Sequence, residues 1–215
     1  MPKELTLITG GVRSGKSAFA GQVAERSGGR VLFLATMAPD DDEDRRRLRR
    51  HREDRPTHWQ TVEESLAVPE ALTRWARHFD TVILDCLTLW VAKLMEAAGP
   101  PATASGTLLP SELDRVEKEV AGRVGDLLAA YREQPPSLIV VTNEVGAGLV
   151  PAYPSGRLFR DLLGLAHQRL AAHADTVYYL LAGLPLTVKG PGGMMRLEGP
   201  SWGPWPMVRL GATAG

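Results

Sequence analysis

Residues Gly10 to Ser17 read Gly-Gly-Val-Arg-Ser-Gly-Lys-Ser, setting a glycine, four residues and then Gly15, Lys16 and Ser17 in line. That spacing suits a polyanion. Glycines let successive backbone N–H groups turn inward around a phosphate, and a helix starting at the end of the loop adds unsatisfied donors and partial positive charge. Gly11, Val12, Arg13 and Ser14 would supply the cradle, Lys16 would reach the outer phosphates, and the Ser17 hydroxyl would ligate Mg²⁺. A second magnesium-organising group is expected at the end of another strand. Thr81-Val82-Ile83-Leu84-Asp85 supplies it in Asp85, which could equally cap the helix expected from Leu87; both roles could hold at once.

A block of acids precedes a block of arginines between Asp40 and Arg55, around His51. Asp41 with Arg45, Asp42 with Arg46 and Glu43 with Arg47 are spaced i, i+4, so a solvated helix face accounts for most of the segment. His51 is what that account leaves over. It has Arg47, Arg52 and Arg55 near it in sequence, and an imidazole with a pKa of about 6.5 is substantially neutral and nucleophilic near pH 7. Nearby guanidiniums would stabilise charge on a phosphorus under attack. His58, beside Trp59, is the rival nucleophile, whereas His78, His167 and His173 read as structural or solvent-facing helix residues.

The elements that must hold these groups alternate between β-branched runs and helical patterns, which argues for a mostly parallel sheet flanked by helices. Strands are expected near 5–9, 31–35, 81–85, 138–142 and 176–181, and helices near 16–26, 41–53, 63–77, 87–97, 111–133 and 156–173. The phosphate loop thus sits between a strand and a helix, the context its pattern requires. At 215 residues and 44% hydrophobic the chain can bury a core as one α/β domain. We expect that domain over residues 1–189. The Gly- and Pro-rich stretch 190–215 would be an extension, packed on the domain or partly disordered, and 98–110 a lid or a plain spacer. Lys and Arg number 25 against 25 Asp and Glu, so no global field favours nucleic acid or an anionic membrane, and a small-molecule substrate is the default. The one cysteine, Cys86, excludes an intramolecular disulfide; with no signal-peptide pattern and no membrane span, a cytoplasmic protein is expected.

Taken together, Gly10 to Ser17, Leu34-Ala35-Thr36, and His51-Arg52-Glu53-Asp54-Arg55-Pro56 before Trp59 resemble the bifunctional adenosylcobinamide kinase/adenosylcobinamide-phosphate guanylyltransferase family. Val140-Val141-Thr142-Asn143-Glu144-Val145-Gly146 and Phe159-Arg160-Asp161 extend the resemblance, which covers roughly residues 5–189. It implies a RecA-like P-loop NTPase fold and a homotrimer. It also implies phosphorylation of adenosylcobinamide by ATP or GTP, then GMP transfer from GTP to adenosylcobinamide phosphate through a guanylyl-His51 intermediate, with release of pyrophosphate. Leu34, Ala35, Thr36, Arg52, Glu53, Asp54 and Arg55 become nucleotide-binding candidates by the same resemblance. Glu63 could accept a hydrogen bond from guanine or ribose, or simply suit a helix N-terminus. Thr142, Asn143 and Glu144 stand where ligands bind in open α/β sheets, so they could contact cobinamide or its phosphate, with turn chemistry the alternative. Two other functions fit the phosphate loop: a small-molecule kinase without guanylyl transfer, and a regulatory or binding ATPase.

Overall fold

A computed structural model describes residues 2–37, 55–99, 110–190 and 196–197. The helix expected at 41–53, most of 98–110 and nearly all of 190–215 lie outside the described residues.

The strands are β1 (Leu5–Gly10), β2 (Val31–Ala35), β3 (Gln60–Glu63), β4 (Thr81–Asp85), β5 (Ser137–Val141), β6 (Thr176–Leu181), β7 (Leu184–Lys189) and β8 (Arg196–Leu197). They form one sheet in the order β3-β2-β4-β5-β1-β6-β7-β8. β3 to β6 in that order run parallel, and β7 and β8 continue the sheet antiparallel. The mostly parallel, helix-flanked sheet expected from sequence is therefore present, and β5 lies between the strand carrying the phosphate loop and the strand ending in Asp85, a RecA-like order. Helices α1 (Lys16–Ser27), α2 (Val68–Trp75), α3 (Leu87–Ala98), α4 (Pro110–Glu133) and α5 (Pro154–His173) connect the strands.

Both sheet faces are covered, which is why the central strands read as continuous apolar runs. Alternate residues serve opposite cores. Leu7, Leu34, Leu84 and Val140 pack beneath α2–α5 with Leu127 and Leu163, while Ile8, Phe33, Ile83 and Ile139 pack beneath α1 with Phe19 and Ala24. Trp90 is completely buried in the first core and donates its indole N–H to the Leu66 carbonyl at 2.9 Å.

Two elements differ from the sequence expectation. The helix foreseen at 63–77 is in fact edge strand β3, a short link, then α2 with Pro69 in its first turn and a 3₁₀ turn at Ala76–His78. β3 is mostly exposed and joins the sheet through backbone pairing with β2, so Gln60-Thr61-Val62-Glu63 has no apolar run to announce it. β7 contains Pro185 yet pairs with β6 from Leu181↔Leu184 onward, through a turn in which Ala182 and Gly183 both have positive φ.

Candidate active site

The carboxyl ends of the parallel strands gather the candidate residues. Register pairs Ala35 with both Glu63 and Asp85, Asp85 with Val141, and Val141 with Ile8. Glu63, Ala35, Asp85 and the start of the Thr142-Asn143-Glu144 segment therefore stand at one level beside the phosphate loop. Neighbouring strands lie about 4.8 Å apart, which places Asp85 roughly 10 Å, and Glu63 roughly 19 Å, from β1 across the sheet. A molecule held by both the loop and Glu63 must extend along this edge.

The loop is shaped by backbone conformations that favour glycine. Gly10 (φ +148°) has no room for a side chain, since a Cβ would stand 2.4 Å from the Leu180 carbonyl oxygen. Gly15 (φ +92°) precedes the first turn of α1, and Arg13 also has positive φ. The β6–β7 turn buttresses this arrangement: the Gly183 N–H donates to the Ser14 carbonyl at 3.0 Å. On the other side the Glu144 N–H donates to the Gly10 carbonyl at 2.9 Å. The loop is thus bonded to β5's extension and to the β6–β7 hairpin.

Lys16 is buried, with its Nζ donating to the Gly11 carbonyl at 2.6 Å and lying 3.4 Å from the Ser14 hydroxyl. Burial pulls its pKa down, while the negative charge of Asp85 opposes that shift. Ser17, partly exposed, is in the first turn of α1. Gly11 is half-buried, and Val12 and Arg13 are exposed at the loop's tip.

Asp85 is held from behind. The Thr36 hydroxyl donates to the Cys86 carbonyl at 2.7 Å and accepts from the Cys86 N–H at 2.8 Å, while the Thr36 N–H donates to the Asp85 carbonyl at 3.1 Å. Thr36 is fully buried, so its hydroxyl fixes the end of β4. The position before α3 belongs to Cys86, whose side chain makes no cap hydrogen bond. All of the Leu34-Ala35-Thr36 trio is buried, Leu34 in the α2–α5 core and Ala35 in the core beneath α1. Burial pushes the Cys86 thiol up to about 11, with Asp85 adding to the effect, so it is a poor nucleophile at neutral pH.

His51, Arg52, Glu53 and Asp54 lie outside the described residues. Arg55 has its guanidinium stacked 3.7 Å over the Phe33 ring and donates to the Thr61 hydroxyl at 3.3 Å. His58 lies 3.2 Å from a Glu25 carboxylate oxygen that also accepts the Trp59 indole N–H at 2.7 Å. Glu25 is nine residues along α1 from Lys16, about 13 Å at 1.5 Å per residue. The rival histidine is thus bound at the far end of the helix. His78 meets Arg77, and His173 meets the Arg169 carbonyl at the end of α5.

His167 is the site residue that sequence reasoning missed. Its Nε2 lies 2.8 Å from the Thr142 hydroxyl, which lies 3.1 Å from the Thr88 hydroxyl; Thr88 in turn accepts the Asn143 N–H at 2.7 Å. Its Nδ1 lies 3.8 Å from Glu144. The signal was present: Leu163, His167 and Leu170 share one face of α5, and both leucines are fully or nearly fully buried. Glu144 also accepts the Gly146 and Ala147 N–H groups, and Arg160 donates to the Gly146 carbonyl at 2.6 Å. Turn chemistry and site position thus coexist in this segment.

No group of three or more His, Cys, Asp or Glu side chains able to hold a metal occurs among the described residues. Magnesium needs no such cage, since one or two protein oxygens and substrate phosphates suffice, and the Ser17 hydroxyl and Asp85 carboxylate are hard donors of that type. No helix among the described residues is long and apolar enough to cross a membrane.

A family model described as cobinamide kinase / cobinamide phosphate guanyltransferase matches residues 6–188. The bifunctional adenosylcobalamin biosynthesis protein CobP of Pseudomonas aeruginosa is 36% identical over 184 residues, covering 86% of this chain and 96% of that protein. The bifunctional adenosylcobalamin biosynthesis protein CobU of Salmonella typhimurium is 35% identical over 187 residues, covering 86% and 99% respectively. Among solved structures, the RadB recombinase is similar at a TM-score of 0.47 and 18% identity, over 91% of this chain and 86% of that one.

Proposed function

The chain belongs to the cobinamide kinase / cobinamide phosphate guanyltransferase family, and we propose that its two transfers divide between the phosphate loop on β1 and a nucleophilic His51. It is an adenosylcobinamide kinase and an adenosylcobinamide-phosphate guanylyltransferase. The observation that carries the division is the phosphate loop itself, with the Lys16 Nζ held on the Gly11 carbonyl and Asp85 two strands away at the same edge of the sheet, a set of groups that phosphoryl transfer can use without a histidine nucleophile.

In the kinase step the substrate hydroxyl oxygen bonds to the γ-phosphorus of ATP or GTP as the bond to the β–γ bridging oxygen breaks, leaving the nucleoside diphosphate. Such transfers depend on positioning and charge neutralisation. The loop amides from Gly10 to Ser17 hold the phosphates, and Lys16 compensates charge on the outer ones. Ser17 and Asp85 would hold Mg²⁺, which when bound screens the phosphate oxygens and aligns them. Asn143 and Glu144 would face the acceptor, because their segment emerges between the loop and Asp85, with the buried Thr142 behind them.

In the guanylyl step a His51 ring nitrogen bonds to the α-phosphorus of GTP and pyrophosphate leaves. A phosphate oxygen of adenosylcobinamide phosphate then displaces the imidazole, giving adenosylcobinamide-GDP and restoring His51. Arg52 and Arg55 neutralise the phosphates, Glu53 and Asp54 complete the segment's nucleotide contacts, and Glu63 with Ala35 receives the guanosine end. The position of His58 beside Glu25, remote from the loop, supports His51 over its rival. The resemblance adds a homotrimer to this reading.

The test is product analysis by mass spectrometry after incubation with adenosylcobinamide, Mg²⁺ and GTP. The account expects the phosphate to appear and then convert to the guanosine-diphosphate form. Accumulation of the phosphate alone leaves a simple kinase, and nucleotide hydrolysis alone a regulatory ATPase.

A further inference from the structure

We propose that His167 is a positioning residue for phosphoryl transfer, acting through the hydroxyls of Thr142 and Thr88 on the Asn143 main chain between the phosphate loop and Asp85. The proposal rests on the kinase activity and assigns that activity a residue far from the phosphate loop in sequence.

The relay joins three elements. Thr88 is in the first turn of α3, three residues beyond Asp85; Thr142 directly follows β5; His167 comes from α5. All are secluded, with Thr142 fully buried, Thr88 8% exposed and the His167 side chain 15% exposed. A buried hydroxyl without a partner is costly, so this pair of threonines is served by a polar group from α5, where an apolar side chain would do for packing alone.

One arrangement of protons satisfies every member. In that arrangement the Asn143 N–H occupies one of the two lone pairs of the Thr88 oxygen and the Thr88 O–H turns to Thr142. The Thr142 O–H then donates to His167 Nε2, and the ring proton stays on Nδ1, facing Glu144. This direction needs a neutral imidazole. Burial lowers the pKa of His167, with Glu144 opposing the shift, in keeping with that requirement.

What the relay holds is the central strand end of the site. The Thr142 N–H donates to the Ile8 carbonyl and the Glu144 N–H to the Gly10 carbonyl, both at 2.9 Å, so the Asn143 peptide lies between two bonds to the phosphate-loop strand. Its own N–H goes the other way, to α3 behind Asp85. Loss of the relay frees the Asn143 peptide to shift relative to Asp85 while leaving the loop's own contacts intact.

The experiment compares the full-length wild type with His167→Ala, His167→Gln and Thr142→Val. Readouts are steady-state phosphorylation of adenosylcobinamide, titration with a fluorescent GTP analogue, and amide hydrogen exchange at Asn143. His167→Ala should lower kcat about tenfold, the consequence of one lost buried hydrogen bond at a reacting centre. Affinity for the analogue should stay within about twofold, because the loop is untouched. Exchange at Asn143 should accelerate. His167→Gln, which returns a polar atom near the Nε2 position, should recover kcat and slow exchange. Thr142→Val keeps the shape and cuts the relay, so it should match His167→Ala and keeps the test decisive if His167→Ala does not fold. Wild-type kcat in both Thr142→Val and His167→Ala overturns the proposal, as does unchanged exchange at Asn143. A wild type inactive on adenosylcobinamide removes the kinase reading, and exchange at Asn143 then decides whether the relay exists.

Discussion

Replacing Thr36 by valine removes a hydroxyl without altering the shape of the side chain. That hydroxyl satisfies both the carbonyl and the N–H of Cys86, at 2.7 and 2.8 Å, in a fully buried setting. Each backbone group left buried without a partner costs about 1–3 kcal/mol, and the added methyl returns about 0.8 kcal/mol, for a net loss near 3 kcal/mol. In a domain of this size that lowers Tm by roughly 6–12 °C. Thr36→Ser, which keeps the oxygen, should lose less than half as much. Thermal melts of the three proteins check the stability argument, and kinase assays below the new Tm check its consequence. Because the clamp holds the end of β4, Asp85 should lose its alignment and kcat should fall more than nucleotide affinity. A Thr36→Val protein that melts within about 2 °C of wild type refutes the reasoning, since a shift that small is under about 1 kcal/mol.

Lys16→Ala should impair phosphorylation of adenosylcobinamide by about a hundredfold or more, as loss of a charge contact at the transferring phosphates does elsewhere; if one nucleotide cradle serves both reactions, guanylyl transfer to separately supplied adenosylcobinamide phosphate falls too. Full retention of transfer means a second, loop-independent GTP site. Asp85→Asn should leave Tm nearly unchanged, because Asn keeps the size and much of the capping capacity of Asp, while raising the Mg²⁺ concentration needed for half-maximal rate; an unaltered Mg²⁺ titration removes Asp85 from the metal site. The lowered pKa of His167 means the unfolded chain binds more protons than the folded one between the folded value and about 6.5. Stability should therefore be fully present above that range and fall with pH through it, and urea unfolding of His167→Gln should lack this slope.

The fold was legible where both sheet faces bury side chains. β2 and β5 are apolar at nearly every position and β1 and β4 carry β-branched and apolar runs, so these strands stand out against the amphipathic helices. β3 was not legible because an edge strand held by backbone pairing needs no hydrophobic pattern, and Glu63 at its end read equally well as the first acid of a helix. Part of the site could be read because a phosphate loop is specified by glycine positions and by Lys16 and Ser17, all within eight residues. The relay could not be read so directly, since Thr88, Thr142 and His167 are brought together by strand order and by the packing of α3 and α5, neither of which local sequence encodes. Thr36 illustrates the same limit: the bond of its hydroxyl to a main chain fifty residues away has no signal in the local sequence.

The division of labour between loop and histidine is tested most directly by labelling. Wild-type protein incubated with Mg²⁺ and GTP labelled at the α-phosphate should retain label on His51 in an acid-labile linkage, and GTP labelled at the γ-phosphate should leave none. His51→Ala should lose both the adduct and guanylyl transfer while continuing to phosphorylate adenosylcobinamide, and His58→Ala should keep all three. An adduct that persists in His51→Ala and disappears in His58→Ala, or guanylyl transfer by a wild type that never forms an adduct, contradicts the account.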